Sequence, residues 1–203
     1  MTLDGRPVAV VLAGGQARRM GGGDKGLLRL RRRPMLDLVL DAIRPQVGAV
    51  AINANGDVRR FLPWGLPVLA DPVPGNPGPL AGILAALRWA RQTQPGADLL
   101  LSVPTDTPLL PPDLVRRLTQ ARAQAGTAIA CAASGGQRHP VVALWPVTLA
   151  DPLAEALASG MRSVAAFAAA HGVTVAEFAA EPADPFLNVN EPADLVNAAR
   201  VLG

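Results

Sequence analysis

A loop rich in glycine and positive charge follows the first apolar run of the chain. After Val8–Leu12 the sequence continues AGGQARRMGGGD up to Lys25. Glycine residues let successive backbone N–H groups converge on an anion and let the backbone approach a phosphate closely. Arg19 and Lys25 add positive charge that can bind the outer phosphates of a nucleotide. The spacing is neither a Walker A motif nor GxGxxG, but it predicts a phosphate-binding loop.

A carboxylate follows a later apolar run, in a proline-rich segment. Asp106 lies in PTDTPLLP, directly after Asp98–Val103. A hard carboxylate at the carboxyl end of a strand can hold Mg²⁺ against a triphosphate. The alternative is an Asp that caps the next helix, and Asp113 is better placed for that role. We therefore predict that Asp106 is a metal ligand.

The composition excludes several classes of protein. Half of the 203 residues are hydrophobic and 17% are charged, so the chain can build a sizeable core. The formal net charge is only +3, which argues against a nucleic-acid-binding module. The single cysteine, Cys131, excludes an internal disulfide and predicts a buried, inert thiol. Without an apolar stretch of about 18 residues or a signal peptide, we expect no membrane span and a cytoplasmic location.

Strand and helix patterns alternate along the chain and must position these groups. Short apolar runs predict buried strands, and amphipathic segments between them predict helices. The predicted strands are Val8–Leu12, Val50–Asn53, Pro67–Ala70, Asp98–Val103, Thr127–Ala132, Pro140–Trp145, Val173–Phe178 and Phe186–Val189. The predicted helices are Pro34–Ile43, one through Leu80–Leu87, one opened by Pro111 and Pro112, Leu149–Leu157, Ser163–Ala170, and Glu191–Leu202 with Asn190 as its N-cap.

This alternation predicts an α/β fold in a single domain, residues 1–203. We expect a doubly wound, mostly parallel sheet with helices on both faces. In such sheets, ligands lie in the crevice beyond the carboxyl ends of the strands. The glycine loop and Asp106 both follow predicted strands, so this edge is where the chemistry is expected.

The segment LAGGQARRMGGGDKGLLRL resembles the signature loop of the molybdenum cofactor guanylyltransferases, the MobA family of the nucleotidyltransferase superfamily. The resemblance implies a nucleotidyltransferase-like, Rossmann-type fold, with a nucleotide-binding half at about 1–110 and a pterin-substrate half at about 111–203. It also implies that the loop binds the triphosphate and that Arg19 and Lys25 take part in catalysis. The loop positions carried over as nucleotide contacts are Leu12, Ala13, Gly14, Gly15 and Lys25.

Further segments extend the resemblance over nearly the whole chain. INANG and DPVPG are similar to family segments that place Asn53 and Asp71 around guanosine. Guanine presents N–H donors on one edge, and amide and carboxylate oxygens accept such bonds. The segment around Asp106 resembles the family's P-x-D-x-P-x-L-P element, which implies a catalytic Mg²⁺ ligand.

Segments in the second half resemble the side of the family's cleft that receives the pterin-bearing substrate. GQRHPV implies that Arg138 binds an anion and that His139 stacks or hydrogen bonds, although a structural role for His139 stays open. The segment SGMRSV resembles a second family element, which implies that Arg162 is either another anion contact or a residue at the start of a helix. LNVNEPADL implies that Asn188 and Asn190 lie near metal and substrate.

The sequence differs from the family pattern at two places, neither of which belongs to the triphosphate loop. Glu191 and Ala193 replace the usual Thr and Glu of the terminal motif. Arg31, Arg32 and Arg33 precede Pro34 where relatives often carry Gly. We expect this extra charge to lie on the surface.

The resemblance implies a magnesium-dependent enzyme that transfers GMP from GTP to molybdopterin or Mo-molybdopterin and releases pyrophosphate. Other cofactor-biosynthesis proteins and molybdoenzyme acceptors are candidate partners. Two enzymatic alternatives are a molybdopterin cytidylyltransferase and a sugar-phosphate nucleotidyltransferase, against which LAGG and Asp71 favour guanosine. From another class, a non-catalytic nucleotide-binding accessory protein could deliver the cofactor. Lys25 and Asp106 favour an enzyme.

Overall fold

A seven-stranded sheet forms the centre of the fold. The computed structural model describes residues 5–14, 25–75 and 78–201. In this part of the chain the strands are β1 (Val8–Leu12), β2 (Arg29–Leu30), β3 (Arg33–Pro34), β4 (Val50–Asn53), β5 (Val68–Leu69), β6 (Leu99–Pro104), β7 (Ile129–Ser134), β8 (Gln137–Pro146) and β9 (Val173–Phe178). The main sheet has the order β5-β4-β1-β6-β8-β7-β9, and β2 and β3 form a separate hairpin.

Helices cover both faces of the sheet. They are α1 (Met35–Ile43), α2 (Pro79–Thr93), α3 (Leu114–Ala125), α4 (Ala150–Ala158), α5 (Val164–Ala170) and α6 (Pro192–Val201). α2, α4 and α5 pack on one face, and α1 and α3 pack on the other. β1 is buried on both faces because its alternate side chains enter the two cores. No helix of the described residues is long and apolar enough to cross a membrane.

The sheet is mostly parallel, as predicted, but it contains one reversed strand. β1 runs parallel to β4 and β6, whereas β8 is antiparallel to both β6 and β7. Gly135 and Gly136 join β7 to β8, with φ angles of 53° and 79°. A two-residue connection with positive φ at both positions makes a tight hairpin, so the two strands must be antiparallel.

The strand predicted at Phe186–Val189 was wrong, because this segment is an irregular loop. Phe186 and Val189 are buried without joining the sheet: Phe186 packs edge-on against Phe178, with ring centroids 5.1 Å apart. The backbone N–H of Val189 donates instead to the carbonyl oxygen of Asp106, at 2.8 Å. Burial in a core, rather than strand pairing, explains the apolar pattern.

Asn190 is not the N-cap of the last helix, which is a second correction. Its side-chain oxygen accepts a hydrogen bond from Lys25 Nζ. The backbone N–H groups of Asn190 and Glu191 both donate to Asp194 Oδ2, at 2.9 Å each. The start of α6 is therefore stabilised by a carboxylate of its own first turn.

The carboxyl ends of three parallel strands meet at one edge of the sheet. Leu12 is in register with Asn53 of β4 and with Pro104 of β6. The segments that follow these strands therefore open into one crevice.

Candidate functional site

A cleft with a volume of about 490 Å³ lies at this edge of the sheet. Its volume is in the range typical of small-molecule sites, about 300–1,000 Å³. The polar and charged side chains that line it are Asn53, Asp71, Thr105, Asp106, Thr107, Arg138, His139 and Asn188.

On one side of the cleft, two asparagines hold a carboxylate. The Nδ2 group of Asn53 donates to Asp71 Oδ1 at 2.9 Å, and the Nδ2 group of Asn55 donates to Asp71 Oδ2 at 2.7 Å. Asn55 Oδ1 also accepts the backbone N–H of Asp71, at 2.9 Å. A carboxylate has about four lone-pair sites, so Asp71 can still accept two N–H donors. Asn55 was not predicted as a site residue, although it is the second Asn of INANG.

A glycine inside a helix makes room for this arrangement. A Cβ atom on Gly82 of α2 would overlap the Asn53 side-chain amide and come within 2.7 Å of Leu12 Cδ2. Asn53 itself is buried, and its Nδ2 group also donates to the carbonyl oxygen of Leu69 at 3.0 Å. The backbone of α2 therefore packs directly against the base of the cleft. An isolated Gly in a helical pattern was the available sequence signal for it.

One of the aspartates that line the cleft forms an ion pair with a lysine. Lys25 Nζ lies 3.1 Å from Asp106 Oδ2, with side-chain exposed fractions of 16% and 21%. Lys25 also donates to Asn190 Oδ1. The next residue, Gly26, packs closely against Thr105, because a Cβ atom on Gly26 would come within 2.9 Å of the Thr105 side chain. The turn that carries Lys25 is thus packed against the loop that carries Asp106.

The chain's last loop is bonded to the same segment. Thr107 Oγ1 donates to Asn188 Oδ1 at 3.0 Å. Together with the bond from Val189 to Asp106, this contact brings Asn188 to the cleft.

The opposite side of the cleft carries an imidazole. His139 lies against the ring of Phe186, with centroids 4.8 Å apart and planes inclined by 36°. His139 Nε2 is 2.8 Å from Ser134 Oγ, and that hydroxyl donates to Asp184 Oδ1 at 2.7 Å. Burial lowers the pKa of His139, against a smaller raising effect of the Asp184 and Glu177 charges. Ser134 and Asp184 were not predicted from the sequence.

Ten of the predicted site residues come together here. Eight line the cleft, and Lys25 and Asn190 join them through hydrogen bonds; the eight are Leu12, Gly14, Asn53, Asp71, Asp106, Arg138, His139 and Asn188. Gly15 and Arg19 lie outside the described residues.

Two predicted contacts have other local roles. Ala13 is buried, and its backbone N–H donates to the carbonyl oxygen of Asn53 at 2.8 Å, so that N–H is not available to a nucleotide. Arg162 is not brought to the cleft: its Nη1 group donates to the carbonyl oxygens of Leu157 and Met161 at the end of α4. Cys131 is a buried thiol, as predicted, and burial raises its pKa.

The fold and the cleft define a class of protein. A mostly parallel α/β sheet with a ligand cleft at the carboxyl ends of its strands is the architecture of Rossmann-type nucleotide-binding proteins. Within that class, a family model described as "MobA-like NTP transferase domain" matches residues 9–175. The chain belongs to this family.

Proteins named molybdenum cofactor guanylyltransferase are similar to almost the whole chain. The one from Rhodopseudomonas palustris strain BisB5 is 51% identical over 194 residues, covering 95% of this chain and 92% of the relative. The one from Nitrobacter hamburgensis is 44% identical over 203 residues, covering 99% and 97%. The crystal structure of molybdopterin-guanine dinucleotide biosynthesis protein A from Archaeoglobus fulgidus has the same fold, with a TM-score of 0.72 at 22% identity over 96% of this chain and 98% of that chain.

Proposed function

We propose that this protein transfers GMP from GTP to molybdopterin or Mo-molybdopterin and releases pyrophosphate. Its family and the names of its relatives support this reaction. The observation that carries the proposal is a cleft lined by Asp71, Arg138 and Asp106, the last of which forms an ion pair with Lys25. A cytoplasmic location, and contacts with other cofactor-biosynthesis proteins and molybdoenzyme acceptors, belong to the same proposal.

The nucleotide base lies on the side of Asp71. Guanine carries two adjacent N–H donors on one edge, and a carboxylate held by Asn53 and Asn55 is a matching pair of acceptors. Cytosine lacks that pair of donors. The arrangement therefore favours GTP over CTP.

The triphosphate lies over Lys25 and Asp106. Among the described residues, no group of three or more acidic, His or Cys side chains could hold a metal by themselves. Mg²⁺ at nucleotide sites is commonly held by one or two carboxylates together with phosphates and water, so Asp106 suits a metal that binds with GTP. When bound, Mg²⁺ would neutralise charge near the α-phosphate. Lys25 exchanges its carboxylate partner for a phosphate oxygen and stabilises the departing pyrophosphate.

The acceptor needs no strong general base. A phosphomonoester has a second pKa of about 6 and is largely a dianion at neutral pH. One of its oxygens attacks the α-phosphorus of GTP as the bond to the β-phosphate oxygen breaks. The protein aligns these atoms and stabilises their charge. Arg138, which lines the same cleft, binds the acceptor's phosphate in this proposal.

Thermal unfolding with GTP, CTP, ATP and UTP, each with and without Mg²⁺, tests the nucleotide assignment. A ligand that binds only the folded state stabilises it by about 2.7 kcal/mol at a hundredfold excess over Kd. We expect the largest rise in Tm with GTP and Mg²⁺, and its loss in Asp71→Ala. Asp41→Ala is the matched control, because Asp41 pairs with Arg33 on the surface.

Pyrophosphate release in the presence of GTP and molybdopterin tests the reaction. A rise in Tm with CTP alone would indicate that the protein is a cytidylyltransferase. A rise with GTP but no pyrophosphate release would favour the accessory protein. No rise with any nucleotide would contradict nucleotide binding at this cleft.

A further inference from the structure

Ser134, His139 and Asp184 form a hydrogen-bonded chain that ends at the cleft. We propose that Asp184, acting through Ser134, fixes the tautomer of His139, so that its Nδ1 atom accepts a hydrogen bond from an N–H donor of the acceptor's heterocycle. His139 is then a binding residue, and Ser134 and Asp184 are positioning residues. The identity of the ligand rests on the proposed function, whereas the tautomer does not.

The tautomer follows from the number of protons that each group can give. Asp184 Oδ1 accepts both the hydroxyl of Ser134, at 2.7 Å, and the backbone N–H of Phe186, at 2.9 Å. A serine hydroxyl has only one proton, and Ser134 gives it to Asp184. Ser134 Oγ can therefore only accept from His139 Nε2, which lies 2.8 Å away. A neutral imidazole protonated at Nε2 has its lone pair on Nδ1.

The hairpin of β7 and β8 creates this arrangement. Ser134 is in register with Gln137, and Ala132 is in register with His139. Ser134 and His139 are therefore diagonal neighbours on one face of the sheet, where side chains can interact. Asp184 comes from the loop after β9 and is bonded to the same hydroxyl.

The second nitrogen of His139 is open to the cleft. Each buried polar side-chain atom in the described part of the chain has a hydrogen-bond partner. The bond of His139 to Ser134 uses Nε2 and leaves Nδ1 without a partner among these residues. Nδ1 must therefore reach solvent, and the solvent next to His139 is that of the cleft.

The surroundings of Nδ1 suit a flat heterocycle with N–H groups. Phe186 and Pro140 line the cleft beside His139 and offer apolar surface. The lone pair of Nδ1 requires an N–H or O–H donor. A pterin satisfies both conditions, because it is planar and carries amino and ring N–H groups. Asp184 also anchors the backbone of Phe186, so one carboxylate positions both rings.

The chain's only other histidine provides an internal reference. His171 Nδ1 lies 3.0 Å from the carbonyl oxygen of Phe167. A carbonyl oxygen can only accept, so His171 must carry its proton on Nδ1. The two histidines of this protein are therefore expected to be opposite tautomers.

Long-range ¹H–¹⁵N NMR correlations of the two imidazoles test the tautomer directly. We would record them at about pH 8, above the ordinary histidine pKa. We expect the Nε2–H form for His139 and the Nδ1–H form for His171, with His139→Phe and His171→Phe giving the assignment. In Ser134→Ala, His139 should become a mixture of tautomers. An Nδ1–H form of His139 in the wild-type protein, or an unchanged tautomer in Ser134→Ala, would overturn the proposal.

Fluorescence titration with a pterin phosphate tests the ligand without requiring turnover. His139→Phe keeps the ring stack but removes the lone pair, so Kd for the pterin should rise about tenfold, the loss of one hydrogen bond. Kd for GTP should not change, and His171→Phe should bind the pterin as the wild type does. An equal pterin Kd in wild type and His139→Phe would refute the ligand role. If pyrophosphate release fails while these results hold, the proposed reaction alone is wrong.

Discussion

The two sides of the cleft are built from different kinds of backbone. On the side that we propose binds the nucleotide (the nucleotide side), Asn53 ends a parallel strand, and Asp71 and Asp106 lie within two residues of one. On the side that we propose binds the acceptor (the acceptor side), His139 belongs to an antiparallel hairpin, and its neighbour Ser134 bonds to Asp184, 50 residues away in a loop. A strand end positions a residue through the sheet's own hydrogen bonds. On the acceptor side the sheet positions Ser134 and His139, but Asp184 is held to them by a single side-chain contact between distant segments, so this side should be the more easily altered of the two.

The largest expected effect lies at the centre of the cleft. Asp106→Ala should lower kcat/KM by about a hundredfold or more, because loss of one preorganised charge contact commonly costs about 3–4 kcal/mol in the transition state. The fold should persist, since the bond from Val189 uses the backbone carbonyl of residue 106. Steady-state pyrophosphate release measures the effect. Asp113→Ala, which removes a partner of surface Arg116, is the control; wild-type turnover by Asp106→Ala would contradict the metal assignment.

Gly82→Ala should disturb the nucleotide side through steric overlap, without changing any polar group. The new methyl group overlaps the Asn53 amide, and overpacking of this kind costs about 1–3 kcal/mol. We expect a lower Tm and weaker GTP binding, measured by thermal unfolding and by titration. In the double variant Gly82→Ala/Asn53→Ala, Tm should recover in part whereas GTP affinity should not. If the single variant keeps the wild-type Tm, the close packing of α2 on Asn53 is wrong.

Asn55→Ala tests whether the nucleotide side also depends on support from outside the cleft. It removes the side chain that bonds both Asp71 Oδ2 and the Asp71 backbone. We expect Kd for GTP to rise about tenfold, equivalent to about 1.4 kcal/mol. Exposed Asn197 provides a matched control in Asn197→Ala. Equal GTP affinities of wild type and Asn55→Ala would mean that Asp71 is held well enough by Asn53.

On the acceptor side, the lowered pKa of His139 predicts a pH effect on stability. Burial lowers this pKa in the folded state, although the negative charges of Asp184 and Glu177 oppose the shift. The unfolded chain therefore binds the proton more readily, and the free energy of unfolding should fall as the pH drops below about 6.5. Urea unfolding at a series of pH values measures it. His139→Phe should flatten the dependence; the same slope in both proteins would assign it to other groups.

The smallest expected effect lies outside the cleft, in the hairpin of β2 and β3. Arg31 and Arg32 form its two-residue turn, with φ angles of 48° and 72°. Such angles cost a non-glycine residue about 1–2 kcal/mol, and glycine would remove this cost. Glycine also loses more conformational entropy on folding, which offsets part of the gain. Arg32→Gly should therefore stabilise the protein by about 0.5 kcal/mol in urea unfolding. Arg33→Gly, in the strand, should destabilise it, and a loss of stability in Arg32→Gly would contradict the strained turn.

The same contrast explains which parts of the site were predicted. Asn53, Asp71 and Asp106 were predicted because their segments resemble family motifs and each lies at or just after the end of a recognisable strand. Asn55 and Gly82 left a signal, the second Asn of a motif and a Gly inside a helix, but their roles needed the packing of α2 and the loop after β4. Ser134 and Asp184 left no signal that joins them. Their meeting depends on a reversed strand and on the irregular loop after β9, where Asp184 precedes the segment Phe186–Val189 that was wrongly predicted to be a strand.

By itself, the sequence determined the alternation of strands and helices, the two-sided burial of β1, and the placement of the glycine loop and Asp106 after strands. These features depend on local periodicity and on residue type, which a sequence carries directly. Only the tertiary structure decided that Asn190 meets Lys25 rather than capping α6, that Arg162 lies away from the cleft, and that Asp184 reaches His139 through Ser134. Each of these depends on contacts between segments far apart in the chain, whose geometry no local pattern encodes.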